Sequence, residues 1–306
     1  MKILIPGGAG FIGSHLAQTL AQEGHSVTVL DNLLTGKKEN LKGLDITFKH
    51  QDISKFFDVP CDLIFNMACP ASPIDYQTVP LETLDVCSLG MRNVLENAKK
   101  YKAKVVHAST SEIYGDPLEH PQKETYWGNV NTLGPRSCYD EGKRFAESLC
   151  LTYNQKYGVP VVMARIFNTY GPKMRANDGR VVPNFIMQAL HNKPITIYGK
   201  GTQTRSFCYV DDLVRGLIAM GMSSINFEVF NLGNPEEYSM LAFAEKIKAL
   251  SNSKSELIFK DLPKDDPKQR KPDISKVKSK LGWAPKVSVD EGLQRTIEWF
   301  KKEEIK

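Results

Sequence analysis

The sequence lacks an apolar run of about 18 residues, the length that a membrane span requires. Its 6 cysteines and 6 histidines form no C-x-x-C or H-x-x-x-H pair, so we expect neither a metal site nor a disulfide framework. Charge of one sign is also scarce, because 40 Lys and Arg face 35 Asp and Glu, a net charge of +5. This excess is too small to indicate nucleic-acid binding, but it is compatible with a small anionic ligand.

The composition is that of an ordinary globular protein, with 41% hydrophobic and 25% charged residues in 306. A chain of this length forms one large domain or two modest ones and needs no covalent cross-link to fold. Met1 and Lys2 lead directly into the strand-like run Ile3-Leu4-Ile5, which leaves no signal peptide in the given sequence. We therefore expect a cytoplasmic protein with reduced, mostly buried cysteines.

Short β-branched runs alternate with helix-length segments in the first half of the chain. The predicted strands cover residues 2–6, 26–30, 46–50, 63–67, 104–108 and 159–165, and the predicted helices cover 11–23, 81–101 and 139–157. This alternation predicts an α/β fold with a doubly wound, Rossmann-type parallel sheet. We expect residues 1–172 to form the dinucleotide-binding domain, with a returning segment near 206–232, and residues 173–205 and 233–306 to form a smaller substrate-binding cap.

A glycine turn follows the first predicted strand. Gly7, Gly10 and Gly13 permit a tight turn, close approach of the backbone to a pyrophosphate and close helix–strand packing. Asp31, at the end of the second strand, would accept hydrogen bonds from ribose hydroxyls and repel a 2′-phosphate, which favours NAD over NADP. Asp52 is placed to meet the adenine, although it could equally cap a helix. The predicted cofactor set is Gly7, Gly10, Phe11, Ile12, Gly13, Asp31, Asn32, Thr35, Gly36, Asp52, Ile53, Met67, Ala68, Ala108, Tyr139 and Lys143.

Tyr139 and Lys143 lie one helical turn apart and would project from one helix face. A phenol that acts as a base near pH 7 needs its pKa lowered by about 3 units, or about 4 kcal/mol. We expect the nearby ammonium group and a cationic nicotinamide ring to lower it, because both favour the phenolate. The pair therefore indicates proton transfer beside a nicotinamide.

The fifth predicted strand ends in Ala108-Ser109-Thr110-Ser111-Glu112. Ligands bind at the carboxyl ends of the strands of an open parallel sheet. Thr110 could therefore hydrogen-bond a reacting hydroxyl beside Tyr139, with Ser111 and Glu112 just beyond it. Alternatively, Glu112 is a solvated loop or helix-capping carboxylate.

These motifs resemble those of the extended short-chain dehydrogenase/reductase family, and within it those of the UDP-glucuronic acid decarboxylases. The similarity runs from about residue 2 to residue 300. The segments that carry it are 109–117 (STSEIYGDP), 126–128 (YWG), 134–144 (GPRSCYDEGKR), 164–172 (ARIFNTYGP), 177–182 (NDGRVV), 203–205 (QTR) and 265–273 (DDPKQRKPD).

The resemblance implies an enzyme with tightly held NAD. Hydride leaves C4 of a UDP-glucuronate while Tyr139 takes the hydroxyl proton, CO2 is lost from the resulting 4-keto acid, and the same hydride returns. It implies that Ser111, Glu112 and Arg270 serve the decarboxylation and protonation steps beside Thr110, Tyr139 and Lys143. A buried Glu112 facing the substrate carboxylate would form a like-charge pair, one member of which should resist ionisation.

The resemblance also implies a set of substrate-binding residues and a homodimer. A diphosphate requires cations and backbone donors. The predicted substrate set is Asn93, Asn168, Arg175, Asn184, Tyr198, Gln203, Arg205 and Arg270. Each arginine could instead belong to a surface ion pair, and Tyr198 could pack within a strand. The dimer would form through helices 81–101 and 139–157, although their apolar stripes could equally face their own sheet.

The chain departs from the family pattern at two places. It has Asp85-Val86-Cys87 where family members generally carry Lys-Thr-Asn, and Cys69 where a serine is often seen. The changes remove a cation near the substrate and a polar group near the nicotinamide. They therefore bear on the contacts of the substrate carboxylate more than on the NAD chemistry.

Other activities share the first oxidation step. A 4,6-dehydratase usually has Thr-Asp-Glu at the strand end, and Ser111 protonates a leaving hydroxide less readily than aspartate. A 4-epimerase usually has a small residue in place of Glu112. A 4-reductase would consume a reduced cofactor from solution, and Asp31 disfavours NADPH. Decarboxylation ranks first, UDP-glucuronate 4-epimerisation second, and a non-catalytic sensor of NAD and a nucleotide sugar is the alternative of a different class.

Overall fold

The computed structural model of the chain describes residues 1–262 and 269–304. The strands are β1 (Lys2–Pro6), β2 (Ser26–Asp31), β3 (Thr47–His50), β4 (Leu63–Asn66), β5 (Lys104–Thr110), β6 (Val161–Ile166), β7 (Thr169–Tyr170), β8 (Ile195–Tyr198), β9 (Thr204–Ser206), β10 (Cys208–Tyr209), β11 (Phe227–Leu232), β12 (Glu237–Ser239), β13 (Leu257–Lys260) and β14 (Gln269–Arg270).

The helices are α1 (Phe11–Gln22), α2 (Pro73–Thr78), α3 (Pro80–Asp85), α4 (Met91–Tyr101), α5 (Ser137–Tyr157), α6 (Val181–Leu190), α7 (Val210–Met222), α8 (Met240–Leu250), α9 (Ser275–Leu281) and α10 (Val289–Glu304). A π-helical turn, Val86–Gly90, connects α3 to α4. Short 3₁₀ helices cover Lys38–Leu41 and Ser111–Tyr114.

In the described part of the chain, seven strands form a parallel sheet in the order β11-β6-β5-β4-β1-β2-β3. This arrangement confirms the predicted doubly wound, Rossmann-type fold. The strand order reverses beside β1, which pairs with β2 on one side and with β4 on the other. A crevice therefore opens at the carboxyl ends of β1 and β4, where ligands bind in sheets of this kind.

Alternate side chains of each central strand enter two apolar layers. Ile3 and Ile5 of β1 belong to a cluster that includes α1 and α7, whereas Leu4 belongs to a second cluster that includes α4 and α5. Successive side chains of a strand point to opposite faces, so both faces of the sheet are covered by helices. This packing holds the N-terminus of α1 and the first turns of α5 at the crevice.

The C-terminal half adds smaller sheets beside the crevice. β9 lies between β12 and β14, β8 pairs with β13, and β7 pairs with β10. Helices α6 and α8 pack against each other there, and the rings of Phe207 and Phe243 stack at 4.0 Å. Residues 263–268, which include part of the 265–273 motif, lie outside the described residues.

The structure differs from the sequence prediction at the helix expected over 81–101. That segment contains α3, the π-helical turn and α4. At the turn the chain packs closely on its neighbours: a Cβ atom at Gly90 would lie 3.0 Å from Ile53, and one at Gly142 of α5 would lie 3.2 Å from the Cys87 Cβ. These are tertiary contacts, and helical periodicity in the sequence carries no information about them.

All 6 cysteines are free, and four of them are buried. Within residues 1–262 and 269–304, no group of three or more His, Cys, Asp or Glu side chains could hold a metal ion. None of the helices described there is both long and apolar enough to cross a lipid bilayer.

Candidate active site

A cavity of about 910 Å³ runs along the carboxyl edge of the sheet. One end, which we call the glycine end, is lined by Gly7, Gly10, Gly13 and Asp31. The opposite end, which we call the arginine end, is lined by Glu112, Arg136, Arg205 and Arg270. Tyr139 and Lys143 of α5 lie between the two ends.

The glycine end is shaped by close backbone packing. Gly7 has φ +76°, and a Cβ atom there would lie 2.5 Å from the backbone nitrogen of Ala68. A Cβ at Gly13 would lie 2.2 Å from the Gly7 carbonyl oxygen. Only glycine fits at these positions, and the resulting turn leads into α1 at its N-cap, Gly10. A helix N-terminus of this kind fits the pyrophosphate of a dinucleotide.

Asp31 lies where β2 ends and is buried. Its Oδ2 accepts from the Ala9 amide at 3.0 Å, and its Oδ1 accepts from the Leu33 amide at 2.8 Å. Burial raises the pKa of the Asp31 carboxyl above its usual value, while these two amides oppose the shift. The bonds hold the carboxylate at the cavity wall, and each oxygen retains a lone pair for a ribose hydroxyl.

Asp52 has a structural contact in addition to its place in the cavity lining. Its Oδ1 accepts from the Ser54 amide at 2.8 Å, which stabilises the turn after β3. Ile53 lines the cavity beside it. The other lining residues from the predicted cofactor set are Phe11, Ile12, Asn32, Thr35, Met67, Ala68 and Ala108.

Tyr139 and Lys143 are both buried in the first turns of α5. The Lys143 Nζ donates to the Ala108 carbonyl oxygen at 2.8 Å and lies 5.8 Å from the centre of the Tyr139 ring. The Tyr76 ring stacks on Tyr139 at 5.0 Å. The backbone carbonyl at the end of β5 thus holds the ammonium group near the phenol.

Burial dominates the pKa of the Tyr139 phenol in the protein without its ligands. It raises this pKa well above its usual value, and the neighbouring Cys69 raises it further, whereas a hydrogen bond with Thr110 lowers it. The expected lowering involved Lys143 together with a bound cationic nicotinamide and stays a prediction, since burial dominates in the protein without its ligands. A cation bound in the cavity is needed to make this phenol a base near pH 7.

Glu112 lies between two arginines. Arg270 Nη2 donates to Glu112 Oε2 at 2.8 Å, and Arg136 forms an ion pair with the same carboxylate. Burial disfavours the charged form of Glu112, but the two guanidinium groups outweigh burial and lower its pKa to about 2. The expected resistance to ionisation concerns Glu112 facing a bound substrate carboxylate and stays a prediction. In the unliganded cluster, two guanidinium groups and one carboxylate leave an excess positive charge for an anion.

Asp140 adds a second carboxyl group behind this cluster. It is buried, and its Oδ2 lies 3.9 Å from the Arg136 Nε. Its Oδ1 has no hydrogen-bond partner among the described residues. Burial and the charge of Glu112 raise the pKa of Asp140 to about 7, so this group titrates near neutral pH.

Strand pairing brings two arginines together at the arginine end. In the parallel pair β9–β14, Arg205 stands opposite Arg270, 65 residues later in the chain. Both are buried, and the Arg205 Nη1 donates to the Thr204 carbonyl oxygen at 2.8 Å. This pairing, not the local sequence, concentrates positive charge there.

The remaining predicted substrate residues of the cavity lining have protein partners. Arg175 forms an ion pair with Asp75, and the Asn184 Nδ2 donates to the Gly179 carbonyl oxygen at 3.0 Å. The Gln203 Nε2 donates to the Tyr198 carbonyl oxygen at 2.8 Å. Tyr198, Asn168 and Ser111 also line the cavity.

Two predicted residues lie elsewhere. The Asn93 Nδ2 donates to the carbonyl oxygens of Ile53 at 2.8 Å and Lys55 at 3.1 Å, and Asn93 is not part of the cavity lining. In this geometry Asn93 supports the loop after β3, and its predicted substrate contact stays a prediction. Gly36 lies behind Asp31, where a Cβ atom would be 3.0 Å from the carboxylate oxygens.

Arg136 is the lining residue that the sequence interpretation missed with the largest consequence. It precedes Tyr139 by three residues, a spacing that places Arg136 on the same helix face as Tyr139 and Lys143. This spacing could have predicted its place in the site. Other lining residues that were not predicted are Cys69, Asp75, Tyr76, Lys173, Asp178, Arg180 and Gln188. Arg180 pairs with Asp178, with Nη2 and Oδ2 2.8 Å apart.

Comparison with known proteins identifies relatives over almost the whole chain. UDP-glucuronic acid decarboxylase 1 of Xenopus tropicalis is 50% identical over an alignment of 306 positions, which covers 99% of this chain and 72% of the relative. UDP-glucuronic acid decarboxylase 3 of Arabidopsis thaliana is 50% identical over an alignment of the same length, which covers 98% of this chain and 89% of the relative.

Solved structures agree with this fold. UDP-glucose 4-epimerase of Thermotoga maritima, solved with UDP-glucose, superposes with a TM-score of 0.91 at 31% identity and 99% coverage of both chains. UDP-glucuronic acid 4-epimerase of Bacillus cereus, in complex with UDP-glucuronic acid and NAD, superposes with a TM-score of 0.88 at 31% identity, covering 99% of this chain and all of that one.

A family model matches residues 3–233, which contain the glycine turn, the Tyr139–Lys143 pair and all seven strands of the main sheet. The match confirms the predicted resemblance to the extended short-chain dehydrogenases/reductases and the predicted cofactor, NAD. The chain belongs to the NAD dependent epimerase/dehydratase family.

Proposed function

We propose that this protein is an NAD-dependent decarboxylase that converts UDP-glucuronate to UDP-xylose and CO2. The observation that carries the proposal is the Arg136–Glu112–Arg270 cluster near Tyr139. It combines an excess positive charge with a carboxylate at the arginine end of the cavity. Relatives at 50% identity over nearly the full chain are UDP-glucuronic acid decarboxylases, which supports the same activity.

When bound, NAD accepts hydride from C4 of the sugar and later returns it. Tyr139 receives the C4 hydroxyl proton, and Thr110 keeps the hydroxyl and the phenol in line, since it already hydrogen-bonds Tyr139. Lys143, held by the Ala108 carbonyl, supplies positive charge that favours the phenolate. The buried phenol therefore becomes a base only when the cavity is filled.

The arginine end serves the carbon–carbon bond cleavage. The 4-ketone lies β to the C5 carboxylate, so loss of CO2 leaves an enolate instead of an unstabilised carbanion. Arg136 and Arg270 hold the substrate carboxylate before cleavage. Glu112, which is ionised, and Ser111 then position a water molecule that donates the proton to C5. The excess positive charge of the cluster offsets the like-charge repulsion between Glu112 and the substrate.

The substrate's nucleotide end lies along the segments that form the C-terminal half. We propose that Arg205 and Arg175 bind the diphosphate, and that Asn168, Asn184, Gln203 and Tyr198 position phosphate, sugar or uracil. In this proposal residues 173–205 and 233–306 act as the cap over residues 1–172 and the returning segment 206–232. Their place in the cavity lining supports this assignment.

The second candidate is UDP-glucuronate 4-epimerisation. The Bacillus cereus structure favours it, because that 31% identical epimerase shares the fold and was solved with UDP-glucuronic acid and NAD. An epimerase must let the keto-sugar rotate, and it must also keep the carboxylate. Glu112, held by ion pairs with Arg136 and Arg270, favours the decarboxylase, because it occupies the end of the cavity where the substrate carboxylate would bind.

Incubation with UDP-glucuronate and NAD, followed by mass spectrometry of the nucleotide sugars, separates the two. UDP-pentose together with CO2 supports decarboxylation, whereas UDP-galacturonate means epimerisation. UDP-glucose is the matched substrate without the carboxylate and should release no CO2. Binding without turnover of either sugar contradicts both activities and indicates a sensor.

We also propose a cytoplasmic homodimer. Apolar side chains are exposed on α3, the π-helical turn and α5, namely Leu81, Leu84, Leu89, Phe145 and Leu151. Exposed apolar patches mark interaction sites, and these helices lie together on one face. The six free cysteines favour a reducing compartment. Light scattering should give twice the mass of one chain, and a monomer would contradict the dimer.

A further inference from the structure

Two cysteine side chains meet at the wall of the cavity between the glycine turn and α5. The Sγ atoms of Cys69 and Cys87 are 3.6 Å apart. Cys69 follows Ala68 in the loop after β4 and lines the cavity, whereas Cys87 belongs to the π-helical turn and is buried behind it. The two residues are also the cysteines at which this chain departs from the family pattern.

We propose that Cys69 and Cys87 are a modification site, at which a peroxide oxidises the dithiol to an internal disulfide. Cys69 lines the cavity, which gives a molecule as small as hydrogen peroxide access to the pair. The pair lies beside Tyr139 and Lys143, but the inference does not depend on the proposed substrate.

The reaction is a two-electron oxidation with hydrogen peroxide as the oxidant. One sulfur, as thiolate, attacks a peroxide oxygen, which breaks the O–O bond and forms a sulfenic acid and hydroxide. The second sulfur attacks the sulfenic sulfur, forms the S–S bond and displaces a second hydroxide. The two hydroxides take up the two thiol protons, so two thiols and one peroxide give one disulfide and two waters.

The local charges favour the first step. The hydrogen bond between the two sulfurs lowers the pKa of Cys87, and the Lys143 ammonium lowers it further, although burial opposes the shift. Burial raises the pKa of Cys69, and Lys143 opposes this rise. A thiolate is the nucleophile in peroxide oxidation, so a cation beside a hydrogen-bonded thiol pair promotes it.

The backbone around the pair allows the bond to close. A disulfide requires the sulfurs to approach to about 2.0 Å. Cys69 lies in a loop, between β4 and α2, and the glycine at position 142 of α5 leaves room beside Cys87, because a Cβ there would lie 3.3 Å from its Sγ. The closed bond would tie the loop that contacts Gly7 to the turn that packs on α5.

The test uses the purified full-length protein and hydrogen peroxide, followed by alkylation, digestion and mass spectrometry. We expect a peptide pair cross-linked through Cys69 and Cys87 in most of the protein, and its disappearance after dithiothreitol. Cys138→Ser is the matched control, since Cys138 is partly exposed and bonds the Tyr76 carbonyl oxygen, and it should cross-link like the wild type.

Cys87→Ser and Cys69→Ser should each abolish the cross-link. Equal alkylation of Cys69 and Cys87 before and after peroxide in the wild type would overturn the proposal. A cross-link of Cys69 to Cys138 instead would also overturn it. The wild-type measurement decides the question even where a variant fails to fold, and none of these readouts requires turnover of a sugar nucleotide.

Discussion

At the glycine end of the cavity the walls are backbone and small side chains, whereas at the arginine end they are charged side chains in ion pairs. Gly7 and Gly13 act through the space that a missing Cβ leaves. Glu112 and Arg270 act through their charges, and the ion pair between them fixes the position of both side chains. The first end recognises a cofactor by shape, and the second provides an electrostatic environment that a substrate carboxylate changes when it enters.

The largest expected effect comes from a change at Tyr139, which lies between the two ends of the cavity. Tyr139→Phe removes the proton acceptor, and turnover should fall by about 10³-fold, because general base catalysis contributes about 10²- to 10⁴-fold. NAD should remain bound, since the glycine end is unchanged. Product assays and extraction of NAD from the denatured protein measure the two quantities.

Tyr76→Phe is the control for Tyr139. Tyr76 stacks on the Tyr139 ring, and its hydroxyl has no hydrogen-bond partner within the described residues. Its variant should lose far less activity. A Tyr139→Phe protein with wild-type turnover would remove this phenol from the mechanism.

Gly13→Ala tests the shape of the glycine end. The new Cβ would lie 2.2 Å from the Gly7 carbonyl oxygen, so the turn must shift. We expect NAD affinity to fall by about 10- to 100-fold, because overpacking costs about 1–3 kcal/mol. Calorimetric titration with NAD measures this change.

Gly24→Ala is its matched control. It has φ +81°, and a Cβ there would meet open space. The variant should lose about 1 kcal/mol of stability through backbone strain, with unchanged NAD affinity. Equal losses of affinity in the two variants would contradict the role of close packing at the glycine turn.

Glu112→Ala separates oxidation from decarboxylation at the arginine end. Removal of the carboxylate leaves Arg136 and Arg270 without their shared counter-ion. CO2 release should slow at least about tenfold more than hydride transfer, a difference of about 1.4 kcal/mol. Single-turnover absorbance of the reduced nicotinamide and trapping of CO2 report the two steps.

Glu147→Ala provides a comparable broken ion pair away from the cavity. Glu147 accepts from Arg165 at 2.8 Å and is buried to a similar degree as Glu112. It should destabilise the fold without changing the ratio of the two steps. An unchanged rate of CO2 release in Glu112→Ala would exclude Glu112 from the cleavage.

Asp140→Asn has the smallest expected effect and tests the charge behind the arginine end. Burial raises the pKa of Asp140 to about 7, above the value of about 3.9 in an unfolded chain. The native state therefore binds its proton more tightly, so stability falls as pH rises from about 4 to 7. The variant should lessen this fall, because an amide does not titrate.

Thermal unfolding at pH 5 and pH 8 measures the effect of Asp140. Asp58→Asn is the control, because this exposed carboxyl has a lowered pKa through its hydrogen bond with Lys100 and stays ionised over the range. It should keep the wild-type fall. An identical fall in Asp140→Asn would show that Asp140 does not titrate there.

The parts of the fold that sequence patterns predicted are those with local causes. Six of the seven strands of the main sheet, β1 to β6, are short apolar runs between turns, and their bounds agree with prediction within two residues. The glycine turn and the Tyr139–Lys143 spacing are local as well. Arg136 was missed although it lies one turn from Tyr139, because its partner Glu112 is distant in sequence. The hydrogen bond of the Asn93 amide to the loop after β3 was not predicted, since that loop is distant in sequence.

The amino-acid sequence by itself determined the strand–helix alternation, the glycine turn and the phenol–ammonium pair, since these depend on periodicity and on residues within one or two turns of each other. Tertiary structure alone decided the charge state of the site. Burial raises the pKa of Tyr139, and the convergence of Arg136 and Arg270 lowers that of Glu112. Desolvation and Coulomb interactions depend on distances in space, which chain order does not specify.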